Sequence, residues 1–372
     1  MRRALDRAVI AVLVLASPAP AALIAPAAAQ PGPAVASTIE SGERLVFFTT
    51  AARLSVDGRV WSLPIHGRVY RPVNSAARKG LIAQLLQTAY GVVPDRESRT
   101  RFDERIDLLL GDNKGGRRVV VRIGSQTQAM PPSAADGHFT GTVEVPAAEL
   151  AREARDGRVA ISAALAPRDP RTFTGTVLLV GPRGRSVISD IDDTVKVTNV
   201  LDRRRMLEAT FVKPYEAVPG LARLYQTWAA EGTAFHFVSS SPWLLYEPLA
   251  AFLEEAGFPP ASIGLKQIRL KDSSIQNLFA DATQTKPPQI EALLKAYPER
   301  TFILVGDSGE KDPEIYADFL RRYPGRIESV FIRSVTEAKA TEARLAKLFA
   351  GLDRARWQLF TDARELPMML RP

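Results

Sequence analysis

Three carboxylates and a hydroxyl close the stretch Val187-Ile188-Ser189-Asp190-Ile191-Asp192-Asp193-Thr194, halfway along a chain of 372 residues. The run from Ser186 to Ile191 reads as a buried strand. Like charges crowded at a strand end cost free energy unless a cation neutralises them or one carboxyl stays protonated. Either arrangement serves phosphate chemistry. Asp190 and Asp192 stand two apart, so an extended backbone turns both to the same side. One can attack phosphorus while the other handles the proton of the leaving oxygen. On these eight residues alone, a plain acidic turn is the competing reading.

Other segments supply the company such a pair needs. If the strands of this region are parallel, the residues that follow them converge on one edge of the sheet. Phe235-His236-Phe237-Val238 runs into Ser239-Ser240-Ser241-Pro242-Trp243, small hydroxyl donors suited to phosphate oxygens. Phe302-Ile303-Leu304-Val305 runs into Gly306-Asp307-Ser308-Gly309-Glu310-Lys311-Asp312. Lys286 stands ahead of that strand, before two prolines at an expected helix start. A cation there can bind phosphate and offset a carboxylate nucleophile; a solvated lysine is the alternative. Asp312 before Pro313 is either a metal ligand or a helix cap, proline being suited to a first turn. Asp193 reads as a cap or a residue beside the metal ligands rather than a catalyst. His236, inside an apolar strand, reads as a core histidine, and Trp243 as core packing or pocket wall.

The elements that must position these residues change character near residue 184. From about 43 to 183 many short strands alternate with Gly, Pro and Asp, the pattern of a mainly-β, sandwich-like domain. They include Leu45–Thr49, a hairpin across Asp57-Gly58, His66–Tyr70, 118–123, 138–145, 159–164 and 173–180. Leu81–Tyr90 is an expected helix closed by Gly91. From 184 to 372 β-branched strands (187–191, 234–239, 302–307, 327–332, 357–361) alternate with helices (216–230, 244–256, 289–297, 313–322, 337–352). That alternation predicts an α/β domain built on a doubly wound parallel sheet.

Asp190-x-Asp192-x-Thr194, Ser239, Lys286 and Gly306-Asp307 with Asp312 resemble, in order, the four motifs of the haloacid dehalogenase-like phosphatases. The text of Ser189–Lys196, Val238–Trp243 and Phe302–Tyr316 is similar to the phosphatidate phosphatase family of actin patch protein 1. That family carries a β-rich module before its catalytic domain, and Asp136-Gly137-His138-Phe139 resembles a turn of that module. The strong likeness covers about 185–335. Neither the stretch between the first two motifs nor that between Ser239 and Lys286 is long enough for a large folded cap. The resemblance makes Asp190 the nucleophile of an aspartyl-phosphate and Asp192 the general acid and base. Thr194, Ser239, Ser240 and Lys286 become phosphate-binding residues. Mg²⁺ is held by Asp190, Asp192 (through its carbonyl) and Asp307, with Asp312 close by. Ser240 departs from the Asn of many relatives, which puts one contact to phosphate or nucleophile in doubt. Gly306-Asp307-Ser308-Gly309 also resembles the nucleophile tetrapeptide of chymotrypsin-like proteases. That chemistry needs a histidine base on an all-β fold, whereas His66 and His138 lie in the other module.

Composition narrows the setting. Met1-Arg2-Arg3 with Arg7, an apolar run from Ala8 to Ala16 and Ala27-Ala28-Ala29 have the anatomy of a secretory signal peptide over 1–29. Residues 30–42 then read as a flexible lead-in, and the periplasm, or secretion, is the expected destination. Loss of Arg2, Arg3, Arg7 and Asp6 lowers the formal net charge from +8 to +6. That favours phosphorylated substrates or an anionic membrane surface, with Lys266, Arg269 and Lys271 as a candidate contact or simply a solvated basic edge. No long basic block points to nucleic acid. Zero cysteines exclude disulfides and thiolate nucleophiles, and three histidines make a histidine-rich zinc site unexpected. The leading expectation is a Mg²⁺-dependent phosphatase releasing diacylglycerol and phosphate from phosphatidate or a related lipid phosphate. The alternatives are a phosphatase for another exported phosphomonoester and a catalytically silent binding protein.

Overall fold

The computed structural model describes residues 36–267 and 282–370. The expected signal peptide, the start of the lead-in, Arg269 and Lys271 lie outside the described residues. The first half holds nine strands among the described residues: β1 (Arg44–Phe47), β2 (Thr50–Leu54), β3 (Val60–Arg71), β4 (Asp112–Asn113), β5 (Val120–Ile123), β6 (Gln126–Ala129), β7 (His138–Pro146), β8 (Arg158–Ala163) and β9 (Thr174–Val180). They hydrogen-bond into one branched, mixed sheet rather than the two separate sheets of a sandwich. β3 is the reason. Its 12 residues pair with β7 along one edge and with β2 and β1 over successive lengths of the other. It absorbs the strand expected at His66–Tyr70, because Pro64 lies in the gap between the β2 and β1 pairings, where no N–H is required.

Three helices interrupt this sheet: α1 (Ala76–Tyr90), α2 (Arg99–Leu110) and α3 (Ala147–Glu153). Gly91 ends α1 in a left-handed conformation, its N–H returned to Gln87 O. α2 was not anticipated; its buried face, Phe102, Arg105 and Ile106, has helical spacing hidden among charged residues.

The second half alternates β10 (Arg183–Ser189), α4 (Arg203–Leu207), α5 (Leu221–Ala230), β11 (Ala234–Pro242), α6 (Tyr246–Glu255), β12 (Ala261–Lys266), α7 (Ala282–Ala296), β13 (Glu299–Asp307), α8 (Asp312–Arg322), β14 (Ile327–Arg333), α9 (Ala338–Leu348) and β15 (Trp357–Phe360). The strands form a six-stranded parallel sheet in the order β12-β11-β10-β13-β14-β15. β12 was not anticipated, although its residues alternate between buried and half-buried. Chain order runs outward from β10 in both directions, which puts the switch point between β10 and β13. The helix expected from Glu216 begins at Leu221, after Pro219-Gly220.

Strand alternation gives the sheet two apolar faces. Val187, Ile303 and Val305 join one core with residues of α5 and α6, while Ile188, Phe302 and Leu304 join another with residues of α7, α8 and α9. The first core also takes in Phe48, Leu86, Val92, Phe102 and Ile106 from the first half. Burying five such side chains contributes roughly 10 kcal/mol, comparable to the net stability of a whole domain. The described residues accordingly fall in one compact unit.

Candidate active site

Asp190 leaves the end of β10 with its N–H bonded to Val305 O, so the two central strands hold its backbone in line. Its side chain is 1% exposed. Thr194 Oγ1 donates to Asp190 Oδ2 at 3.1 Å, and Lys286 Nζ lies 2.9 Å from Asp190 Oδ1. Lys286 is wholly buried on α7, which excludes the solvated alternative. It does not open a helix: α7 already runs from Ala282, with Pro287 and Pro288 inside it. Its ammonium also lies 2.5 Å from Asp312 Oδ1 and 3.2 Å from Glu310 Oε2. Burial alone would lower the lysine's pKa; Asp190, Asp312 and Glu310 outweigh it and raise the value.

Asp307 ends β13, and its Oδ1 accepts N–H bonds from Gly309 at 2.5 Å and Glu310 at 3.2 Å. Asp312 begins α8, but its carboxylate does not cap that helix. It turns inward, accepting from Lys286 and, through Oδ2, from the Asp307 N–H at 3.2 Å. A Cβ on Gly306 would stand 2.3 Å from Asp312 Oδ2, so this approach requires glycine. Oxygens of Asp190, Asp307 and Asp312 lie within 4.8 Å of one another, all buried. Burial, followed by the neighbouring carboxylates, pushes the Asp190 and Asp307 carboxyls well above the usual range against the pull of Lys286.

Asp192 has different surroundings. Lys196 Nζ lies 2.8 Å from its Oδ1, and Thr198 Oγ1 donates to the same oxygen at 2.8 Å. Ser241 and Ser239 donate to Oδ2 at 2.7 and 3.1 Å. Burial would raise this carboxyl; Lys196 and the hydroxyl donors outweigh it and hold the pKa at about 2. The sequence reading assigned no role to Lys196, Thr198 or Glu310, and read Ser241 as one of three hydroxyls suited to phosphate oxygens rather than as a partner of Asp192. Ser240 lines a cavity together with Asp192, Thr198 and Ser241, its Oγ buried and without a hydrogen-bond partner in the described residues.

Asp193 neither caps a helix nor reaches the acidic cluster. In a left-handed conformation (φ 57°) it accepts the N–H groups of Thr198, Asn199 and Val200, which fixes the loop carrying Lys196 and Thr198. His236 is a core histidine, bonded to Ser262 Oγ at 2.7 Å and Ser186 Oγ at 3.3 Å. Ser308 has no histidine beside it; its Oγ accepts the Val335 N–H at 3.0 Å. Trp243 fills both expected roles, packing on the first core and lining a groove with Leu265 and Pro288.

A parallel α/β sheet with buried carboxylates and a buried lysine at the carboxyl ends of its central strands defines an enzyme domain of the α/β class. Residues 185–334 match the family described as the catalytic domain of phosphatidate phosphatase APP1. Phosphatidate phosphatase APP1 of Saccharomyces cerevisiae is 35% identical over 169 residues, 44% of this chain and 28% of that protein. An uncharacterised protein of Schizosaccharomyces pombe is 32% identical over 168 residues, again 44% of this chain and 27% of that protein. The chain thus spans little more than a quarter of the length of these relatives. The β-glucuronidase of Parabacteroides merdae is similar to 78% of this chain over 34% of its own, at 9% identity and a TM-score of 0.25. A likeness that low carries no argument.

Proposed function

We propose that this chain is a Mg²⁺-dependent phosphatase that hydrolyses phosphatidate, or a related lipid phosphate, on a haloacid dehalogenase-like, doubly wound domain without a large cap. The observation that carries the reading is a charge imbalance. Asp190, Glu310 and Asp312 surround one buried ammonium, Lys286; Asp307 lies within 4.8 Å of Asp190 and Asp312, and its Oδ2 is buried with no hydrogen-bond partner in the described residues. Oxygen donors of that number and charge fit a hard divalent cation. Asp190, Asp307 and Asp312, with the Asp192 carbonyl, would hold it, and it would supply charge neutralisation between the anionic substrate and the carboxylates.

Asp190, oriented by Thr194, attacks phosphorus, and the ester oxygen leaves as the P–O bond to Asp190 forms. Asp192 gives that oxygen its proton, having gained proton affinity from the negative charge the substrate brings beside it. Water then attacks the phosphorus of the aspartyl-phosphate, the bond from phosphorus to Asp190 breaks, and inorganic phosphate leaves with the Asp190 carboxylate restored. Asp192 takes the proton of that water, a role for which Lys196, Thr198, Ser239 and Ser241 already hold it ionised. Lys286 balances the phosphoryl charge, and Ser240 offers its free Oγ to a phosphoryl oxygen. The catalytic-domain family match supports the lipid substrate. Export to the periplasm by the signal peptide belongs to the same proposal.

The test is phosphate release from phosphatidate in mixed micelles and from para-nitrophenyl phosphate, with Mg²⁺ or EDTA. Metal-dependent turnover favouring the lipid is expected. Turnover of the soluble ester alone would leave the chemistry and discard the lipid, and no turnover of either would discard both.

A further inference from the structure

We infer that the outer face of α1, the loop Val200–Asp202 and the first turn of α4 (Arg203–Arg205) together form a docking surface for bilayers that carry anionic phospholipid. The inference rests on the lipid-phosphatase reading and identifies the surface that would deliver the substrate. The cavity at Asp192 has a volume of about 190 Å³, and its lining includes Val200, Arg203, Met206 and Ser240. Pockets that enclose drug-sized ligands start near roughly 300 Å³. A phosphate headgroup fits this space, but two acyl chains do not. The chains of a lipid substrate therefore stay in the bilayer while the headgroup is hydrolysed, and the rim of the cavity must meet the membrane.

That rim is apolar and basic. Leu201, between the cavity residues Val200 and Arg203, is 60% exposed. Arg203 lies against the Tyr90 ring, 6.0 Å from its centroid, so the start of α4 abuts the C-terminal end of α1. Along α1, Ile82, Ala83, Leu86 and Tyr90 pack on the core. Leu81 and Leu85, one turn apart on the opposite side, are 68% and 47% exposed. Val93, just beyond Gly91, is also exposed.

The charges complement an anionic surface. α1 contains Arg78 and Lys79 and no carboxylate, and the first turn of α4 has Arg203, Arg204 and Arg205 against Asp202. Some of this charge is compensated within the protein, Lys79 by Asp107, Arg204 by Glu208 and Arg205 by Asp202. Among the described residues, Arg78 and Arg203 form no ion pair. Outward leucines beside Arg78 and Lys79, on a helix without a carboxylate, suit contact with an anionic headgroup layer.

Co-sedimentation of the full chain with phosphatidylcholine vesicles, with and without phosphatidate, tests the inference. The parent should prefer the anionic vesicles. The double variant Leu81→Glu/Leu85→Glu and the variant Leu201→Glu should each partition about tenfold more weakly, and Leu81→Ala/Leu85→Ala should weaken binding in the same direction without disturbing the helix. Val56→Glu, at the fully exposed tip of the β2–β3 turn, should bind as the parent does. Hydrolysis of para-nitrophenyl phosphate should be the same in all. A parent that stays in the supernatant, or leucine variants that sediment like it, would overturn the docking surface even if micellar phosphatidate is hydrolysed. Loss of vesicle binding in the variants of a protein with no phosphatase activity would keep the surface and discard the enzyme.

Discussion

Trp243, two residues beyond Ser241, stacks on Phe48 with ring centroids 4.2 Å apart and an interplanar angle of 26°. His66 meets the same indole edge-on at 4.7 Å, and the Thr49 N–H donates to Tyr246 Oη at 2.8 Å. The segment that supplies Ser239 and Ser241 to Asp192 is therefore clamped from outside by the β-rich half. That half acts as scaffold for one wall of the site.

Removing the clamp should be felt in both stability and turnover. Phe48→Ala should lower unfolding free energy by about 3–5 kcal/mol, the usual cost of emptying a buried aromatic site, as read by urea denaturation. It should also lower kcat for a soluble ester, because Ser239 and Ser241 lose a fixed position. A chain lacking residues 43–182 should show no cooperative unfolding transition, since it exposes the shared core.

Asp190→Asn should abolish turnover, by about a thousandfold or more, while the chain stays folded. The amide cannot attack phosphorus, yet it keeps the volume of the carboxylate and removes one charge from a crowded acidic cluster. Circular dichroism and urea midpoints at or above those of the parent, together with lost phosphate release, are the expected pair of results. Unchanged turnover would refute the nucleophile.

Asp190, Asp307 and Asp312 were legible because each stands at or just beyond a strand end, where periodicity places it without knowledge of contacts; Lys286, inside α7, was legible only from its place in the motif order of the resemblance. The partners of Asp192 were not. Lys196 and Thr198 reach it through an irregular loop whose path is set by three N–H bonds to Asp193, and no periodic pattern encodes such a path. Ser241 sits in the quoted serine run, but which of three adjacent hydroxyls faces the carboxylate depends on the irregular pairing between Val238 and Pro242. The same limit hid α2, whose apolar spacing is diluted by charge, and the branching of the first sheet, which follows from the uninterrupted length of β3.

Lys196→Met should destabilise the protein by about 3–5 kcal/mol, the cost of leaving a buried carboxylate without its ion partner. Lys196 is 2% exposed, and methionine fills most of its volume. The pKa of Asp192 should rise from about 2, because the Lys196 ammonium is the largest force opposing burial. Urea unfolding at neutral pH and carboxyl titration by NMR would check the two halves, and an unmoved Asp192 would refute the assignment.

Mild acid should weaken the fold through its histidines. Burial is the main cause that holds His66 and His236 at about 3 and His138 at about 4, against 6.5 for the free side chain. A histidine depressed in the folded state leaves stability untouched above 6.5. As pH falls below that value the unfolded chain binds the proton and the folded chain does not, until the folded pKa is reached. At pH 5 each histidine should have removed roughly 2 kcal/mol relative to pH 7.5. The raised carboxyls of Asp190 and Asp307 act in the opposite sense over part of this range, gaining stability as pH falls. The parent's slope alone is therefore ambiguous. His236→Gln removes one histidine, keeps an amide between Ser186 and Ser262, and leaves the carboxylates unchanged. Its urea-derived stability should fall by roughly 2 kcal/mol less than the parent's between pH 7.5 and 5, and equal losses in the two proteins would show that His236 already binds its proton in the fold.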